Sequence, residues 1–141
     1  MKLPDCKYHN PDPQYLRDLL EQAGLSQRKF AKRVGIPART FHDHLNRNKP
    51  TSKTPYPVQF CLEIFANNSD SNLPDCKNYN PDPLYLRDLL EQAGLSQRGF
   101  AKLIGINERT FRRYLNEKDV NNQCSYPVQF CLETLAGYSK K

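Results

Sequence analysis

The sequence predicts an all-α protein of two tandem domains, each with four to five short helices. Three observations predict it. Residues 3–66 align with 73–136 without a gap, and 42 of the 64 aligned positions are identical. Within each copy, apolar residues recur at helical spacing between helix start and stop signals. No segment alternates apolar and polar residues over a strand-like length. The 70-residue period is longer than that of the usual solenoid repeats, which favours two copies of a small domain. The division is 1–66 for the first domain, 67–72 ("NNSDSN") for a polar linker and 73–141 for the second.

The elements of the first copy follow in order. Asp12 is a good N-cap and Pro13 suits the first helical position. Leu16, Leu19, Leu20 and Ala23 then mark one face, and Gly24 ends the helix. Ser26 caps a second helix that buries Phe30, Ala31 and Val34, and Gly35 breaks it. A third helix starts near Pro37 and buries Phe41 and Leu45. After a polar loop at about 47–55, Pro57 opens a last helix with Val58, Cys61, Leu62 and Phe65 on one face. The second copy repeats the pattern from Asp82 to Leu135. A domain of about 65 residues lies near the lower limit for independent folding, so docking of the two copies is an expectation.

Bulk properties narrow the function. The 141-residue chain has a mean hydropathy of −0.80 and no apolar run long enough to span a membrane. Its start, "MKLPDCKYHNPDP", lacks the apolar core of a secretory signal, so a cytoplasmic location is expected. The net charge of +6 and pI of about 9.1 suit a polyanionic partner. The five cysteines (6, 61, 76, 124 and 131) show no C-x-x-C spacing, which leaves zinc-ribbon and redox readings without support. Small buried apolar residues are expected instead. The alternative is a bridge or shared metal between Cys6 and Cys61, echoed by Cys76 and Cys131.

The stretch "SQRKFAKRVGIPARTFHDHLN" (26–46) and its twin "SQRGFAKLIGINERTFRRYLN" (96–116) carry the functional signal. Gln27 opens a helix, small Ala31 stands four residues on where two helices cross closely, and Gly35 stands four further on at a tight turn. Ile36, Phe41 and Leu45 supply the inner side of the second helix; Ala101, Gly105, Ile106, Phe111 and Leu115 match in the second copy. This pattern resembles the helix-turn-helix of the lambda-repressor and Cro-like (Xre) family. With the preceding helix the resemblance covers 15–46 and 85–116. A tandem copy departs from the family's usual one-domain subunit that pairs with itself.

The resemblance implies double-stranded DNA as partner and segments 37–46 and 107–116 as recognition helices in the major groove. The implied base-facing residues are Ala38, Arg39, His42 and Asp43 in the first copy, and Glu108, Arg109, Arg112 and Arg113 in the second. Gln27, Arg28, Lys29, Lys32, Arg33 and Thr40 would lie toward the backbone, as would Gln97, Arg98, Lys102 and Thr110. The chemistry suits these roles. An arginine can present a bidentate fork to guanine, worth about 1–3 kcal/mol of discrimination, while the other cations give affinity through phosphates. Across 27–49 there are seven Lys or Arg against one Asp; across 97–119 there are six against three acidic residues.

The copies diverge where that reading places base contacts. Arg39/Arg109, Thr40/Thr110, Phe41/Phe111 and Leu45/Leu115 are shared, whereas His42-Asp43-His44 becomes Arg112-Arg113-Tyr114 and Pro37-Ala38 becomes Asn107-Glu108. The expectation is a transcriptional regulator, a repressor by occupancy, in which one chain acts as its own pseudo-dimer on two related half-sites. Further homodimerisation is left open. No enzyme, cofactor or metal is expected: there is no Gly-rich phosphate loop and no nucleophile with a base, and His42 and His44 point to different sides of a helix. The chief rival is a protein-interaction module, an antitoxin or phage-type inhibitor reusing the fold, with a mixed version that puts the first copy on DNA and the second on protein. RNA is third, because no exposed aromatic platform is apparent.

Overall fold

The computed structural model describes residues 6–10, 12–46, 55–67, 74, 76–116 and 124–139. It is all-helical, with no strand among the described residues. The first repeat contributes a 3-10 turn at Cys6–Tyr8 and helices α1 (Pro13–Ala23), α2 (Gln27–Val34), α3 (Ala38–His44) and α4 (Tyr56–Asn67). The second contributes a 3-10 turn at Cys76–Asn78 and helices α5 (Pro83–Ala93), α6 (Gln97–Ile104), α7 (Glu108–Tyr114) and α8 (Tyr126–Ser139). Apart from Asn67, the last residue of α4, the expected linker 67–72 lies outside the described residues, as do 47–54 and 117–123. No helix is long and apolar enough to cross a membrane among the described residues.

The local signals act as their chemistry requires. The Asp12 carboxylate accepts from the Gln14 amide at 3.0 Å with Pro13 following, and the Ser26 hydroxyl accepts from the Lys29 amide at 3.1 Å. Each bond satisfies one of the amides a helix start leaves without a partner. Gly35 and Gly105, both at φ +72°, hold the turn into the next helix in the left-handed region, where a side chain would be strained. The turn is closed by Ile36 N–H donating to Ala31 O at 3.0 Å, repeated by Ile106 and Ala101. Phe30 packs on Phe41 with ring centroids 4.9 Å apart, and Phe100 on Phe111 at 4.8 Å, so α2–α3 and α6–α7 are each locked by one aromatic pair.

The last helix of each repeat departs from the expected one-sided pattern. In α4, Val58, Cys61, Leu62 and Phe65 are buried, but so are Tyr56, Pro57, Gln59, Phe60 and Ile64. The second repeat is the reason. Helix α4 packs on α1 inside its own repeat and on α8 of the other, as α8 packs on α5 and α4. The buried apolar residues of both repeats form one continuous cluster.

Contacts between the repeats are reciprocal. Helix α2 touches the 3-10 turn at 76–78 and α8, while α6 touches the 3-10 turn at 6–8 and α4. At the centre, the Cys61 thiol donates to Pro127 O at 3.7 Å and the Cys131 thiol to Pro57 O at 3.7 Å. Both are free thiols, so the bridges weighed between Cys6 and Cys61 and between Cys76 and Cys131 do not form. They serve as small side chains that let two helices approach. Burial, reinforced by the neighbouring Cys61, pushes the Cys131 thiol well up, and burial pushes Cys124 up to about 12. Phe65 packs on Phe130 across the same seam at 5.3 Å.

Two polar devices tie the ends of each repeat together. The fully buried Gln59 accepts from Asn10 N at 2.9 Å and donates to Tyr8 O at 3.4 Å, pinning the N-terminal segment to α4. Gln129 accepts from Asn80 N at 3.0 Å in the same way, but its amide nitrogen meets no acceptor among the described residues. Tyr15 on α1 donates to Glu63 on α4 at 2.8 Å, and Tyr85 on α5 donates to Glu133 on α8. Burial, then the carboxylate beside it, pushes Tyr15 from 10 up to about 12 and raises Tyr85 as well.

Two outcomes follow. Phe130→Ala is expected to cost about 3–5 kcal/mol, the range for a buried Phe. Because the core is continuous, amide exchange in both repeats should accelerate together, and protection retained in the first repeat alone would show that the seam does not couple them. The tyrosines set an alkaline limit. Their protonated form is favoured in the fold, so this stability is complete below the unfolded value near 10 and is lost as pH rises through about 12. Urea midpoints should fall over that window, and less steeply in a Tyr15→Phe, Tyr85→Phe variant.

Candidate nucleic-acid interface

Helices α3 and α7 each carry most of their variable residues outward. Phe41 and Leu45 are fully buried, as are Phe111 and Leu115. That anchoring leaves Ala38, Arg39, Thr40 and His42 exposed and Asp43 half-buried on α3. On α7, Arg109, Thr110, Arg112 and Arg113 are exposed and Glu108 is half-buried. His44 turns inward and is buried, while His42 is exposed, as their spacing of two on a helix requires. Among the described residues no group of three His, Cys, Asp or Glu side chains could hold a metal ion.

The preceding helices frame these faces. Gln27 and Gln97, each first in its helix, are half-buried, and Arg28, Lys29, Lys32, Arg98 and Lys102 are exposed. Arg33 is placed differently from its neighbours. It is half-buried, its Nε donates to Pro74 O of the second repeat at 3.2 Å, and its guanidinium lies 5.1 Å from the centroid of Phe65. Arg33, expected toward a DNA backbone, is thus also tied into the seam between the repeats. Its counterpart Leu103 packs against the core, so the substitution at this position matches an apolar setting in the other repeat.

Contacts inside each face differ between the repeats, and residue chemistry alone did not reveal them. In the first, Gln27 Oε1 lies 3.4 Å from His42 Nδ1, joining the start of α2 to α3. In the second, Glu108 takes that place: Oε1 accepts from Arg112 at 3.3 Å and Oε2 lies 3.8 Å from Arg98 Nε. Asn107 also caps α7, accepting from Arg109 N at 2.8 Å, whereas Pro37 offers α3 no side-chain cap. Arg17 on α1 donates to Leu45 O at 2.8 Å and so fixes the end of α3. The available signal was identity between copies: "YLRDLL" repeats intact, marking Arg17 as part of the scaffold.

No protein-family model matches the chain, and no curated protein sequence gives a significant match.

The placement of Arg33 gives a direct check. Arg33→Ala should cost about 1 kcal/mol, from the lost carbonyl bond and ring contact. Arg28→Ala, an exposed change, should stay within about 0.5 kcal/mol. Urea denaturation of the two variants tests this, and equal stabilities would show that Arg33 contributes nothing at the seam.

Proposed function

We propose that the chain is a sequence-specific double-stranded DNA-binding regulator of the lambda-repressor-like kind, acting as a repressor by occupying its site, without catalysis. The observation that carries this reading is the paired faces of α3 and α7. Each is held from behind by an identical aromatic lock, each exposes the common arginine (Arg39, Arg109), and each differs in the residues beside it. In a helix-turn-helix the second helix docks its outer face in a major groove while the preceding helix crosses the phosphate backbone. Arg28, Lys29, Lys32, Arg98 and Lys102 suit that second role.

The reciprocal seam supports a particular arrangement of the site. A twofold relation generates contacts in matched pairs, whereas a head-to-tail relation does not. The chain then works as a pseudo-dimer of two helix-turn-helix domains, and its half-sites would be inverted, with centres about 34 Å apart, one turn of duplex. They would also be unequal, since the two reading faces are. Free buried thiols fit the reducing cytoplasm as the place of action.

Selection of random duplexes at near-physiological salt, followed by sequencing, tests the proposal. Two unequal, inverted half-sites are expected. Arg109→Ala should weaken binding by about 1–3 kcal/mol and relax preference in one half-site only. Enrichment of a single half-site would assign the second repeat another task, and no enrichment would favour the protein-interaction reading.

A further inference from the structure

We infer that Glu108 is a positioning residue that sets base preference in the second half-site and lowers that repeat's general attraction to DNA. The inference rests on the DNA-binding reading above. Glu108 opens α7, and its two oxygens reach different helices: one accepts from Arg112, four residues along α7, and the other faces Arg98 in the first turn of α6. The first repeat has no such link, because Ala38 stands at that position and Arg28 matches Arg98.

The bridge adds little to folding. Arg98 and Arg112 side chains are 83% and 66% exposed, and exposed pairs are screened by water. Its effect falls on what the arginines can do. An unrestrained Arg112 can swing to any phosphate and bind every sequence alike. Held through one terminal nitrogen by Glu108, it keeps its remaining N–H donors in a narrower range of directions, the condition for a bidentate contact with a base edge. The same carboxylate offsets one of the two positive charges. A groove lined by phosphates repels it wherever the arginines do not cover it. The second repeat thus gives up sequence-independent affinity and gains selectivity. In the first repeat the Gln27–His42 contact restrains the corresponding position without a carboxylate.

The test uses the full chain and the duplex selected by the wild type, with each base pair varied in turn and affinity measured across a salt series. Glu108→Ala should reduce preference at the step read by α7 by about fivefold or more. It should also tighten binding to random duplex and steepen the salt dependence by about one unit of slope. Preference in the α3 half-site should not change, which is the internal control. Glu108→Gln keeps an acceptor for Arg112 without the charge, so it should steepen the salt dependence as Ala does while retaining most of the preference. If both variants keep the wild-type preference, Glu108 does not position Arg112 and the inference fails while the DNA reading stands. If the wild type itself selects no duplex, both fall together.

Discussion

The close approach of α4 to α8 is the constraint on which the rest depends. Each helix begins with the same run, Tyr-Pro-Val-Gln-Phe-Cys-Leu-Glu, and each directs a cysteine thiol at the other's proline carbonyl. Each proline carbonyl lies in the first turn of its helix, where its second lone pair can accept the weak thiol donor. A cysteine suits the contact because it is small and its S–H is a weak donor. A bulkier side chain here would force the helices apart, and with them the aromatic contact of Phe65 with Phe130. Helix α4 would then expose apolar residues on a side its own repeat does not cover, which is why neither repeat is self-sufficient in burial.

That dependence has a consequence for symmetry. In a homodimer every substitution appears twice, once in each partner. In this chain the repeats share a seam but not a codon, so one side can change alone. The seam itself shows it: Arg33 lies on the ring of Phe65, while Leu103 and Leu135 stand at the matching positions. The outward faces show it more strongly, in His42 against Arg112 and Ala38 against Glu108. Buried positions are held by close packing, where one methylene is felt. Outward positions carry no such penalty, so divergence collects there.

The same physics explains what the sequence made legible. Caps and turns rest on bonds spanning two to five residues, so Asp12, Ser26 and Gly35 could be read locally and stand where the spacing put them. The inner residues Phe30, Phe41 and Leu45 follow from helical period alone. The seam contacts of Arg33 were not legible because its partners, Pro74 and Phe65, are 41 and 32 positions away. Gln59 was invisible for a like reason, its partners lying about 50 positions back. The all-round burial of α4 needed knowledge of the seam, which composition does not encode.

The two faces differ in charge. Each presents one shared arginine, and they differ both in how many further cations they carry and in how those cations are restrained. On α3, a neutral glutamine contacts a histidine, and Asp43 sits one residue further along. On α7, two additional arginines appear, and with them a carboxylate that touches one of them and faces a third on the neighbouring helix. Adding Arg112 and Arg113 without Glu108 would strengthen attraction to any polyanion, which raises affinity without raising discrimination. Adding Glu108 converts part of that attraction into orientation. The interaction contributes little to stability because it is exposed, yet it narrows where a guanidinium can point, and on the proposed DNA-binding reading that direction would set base preference.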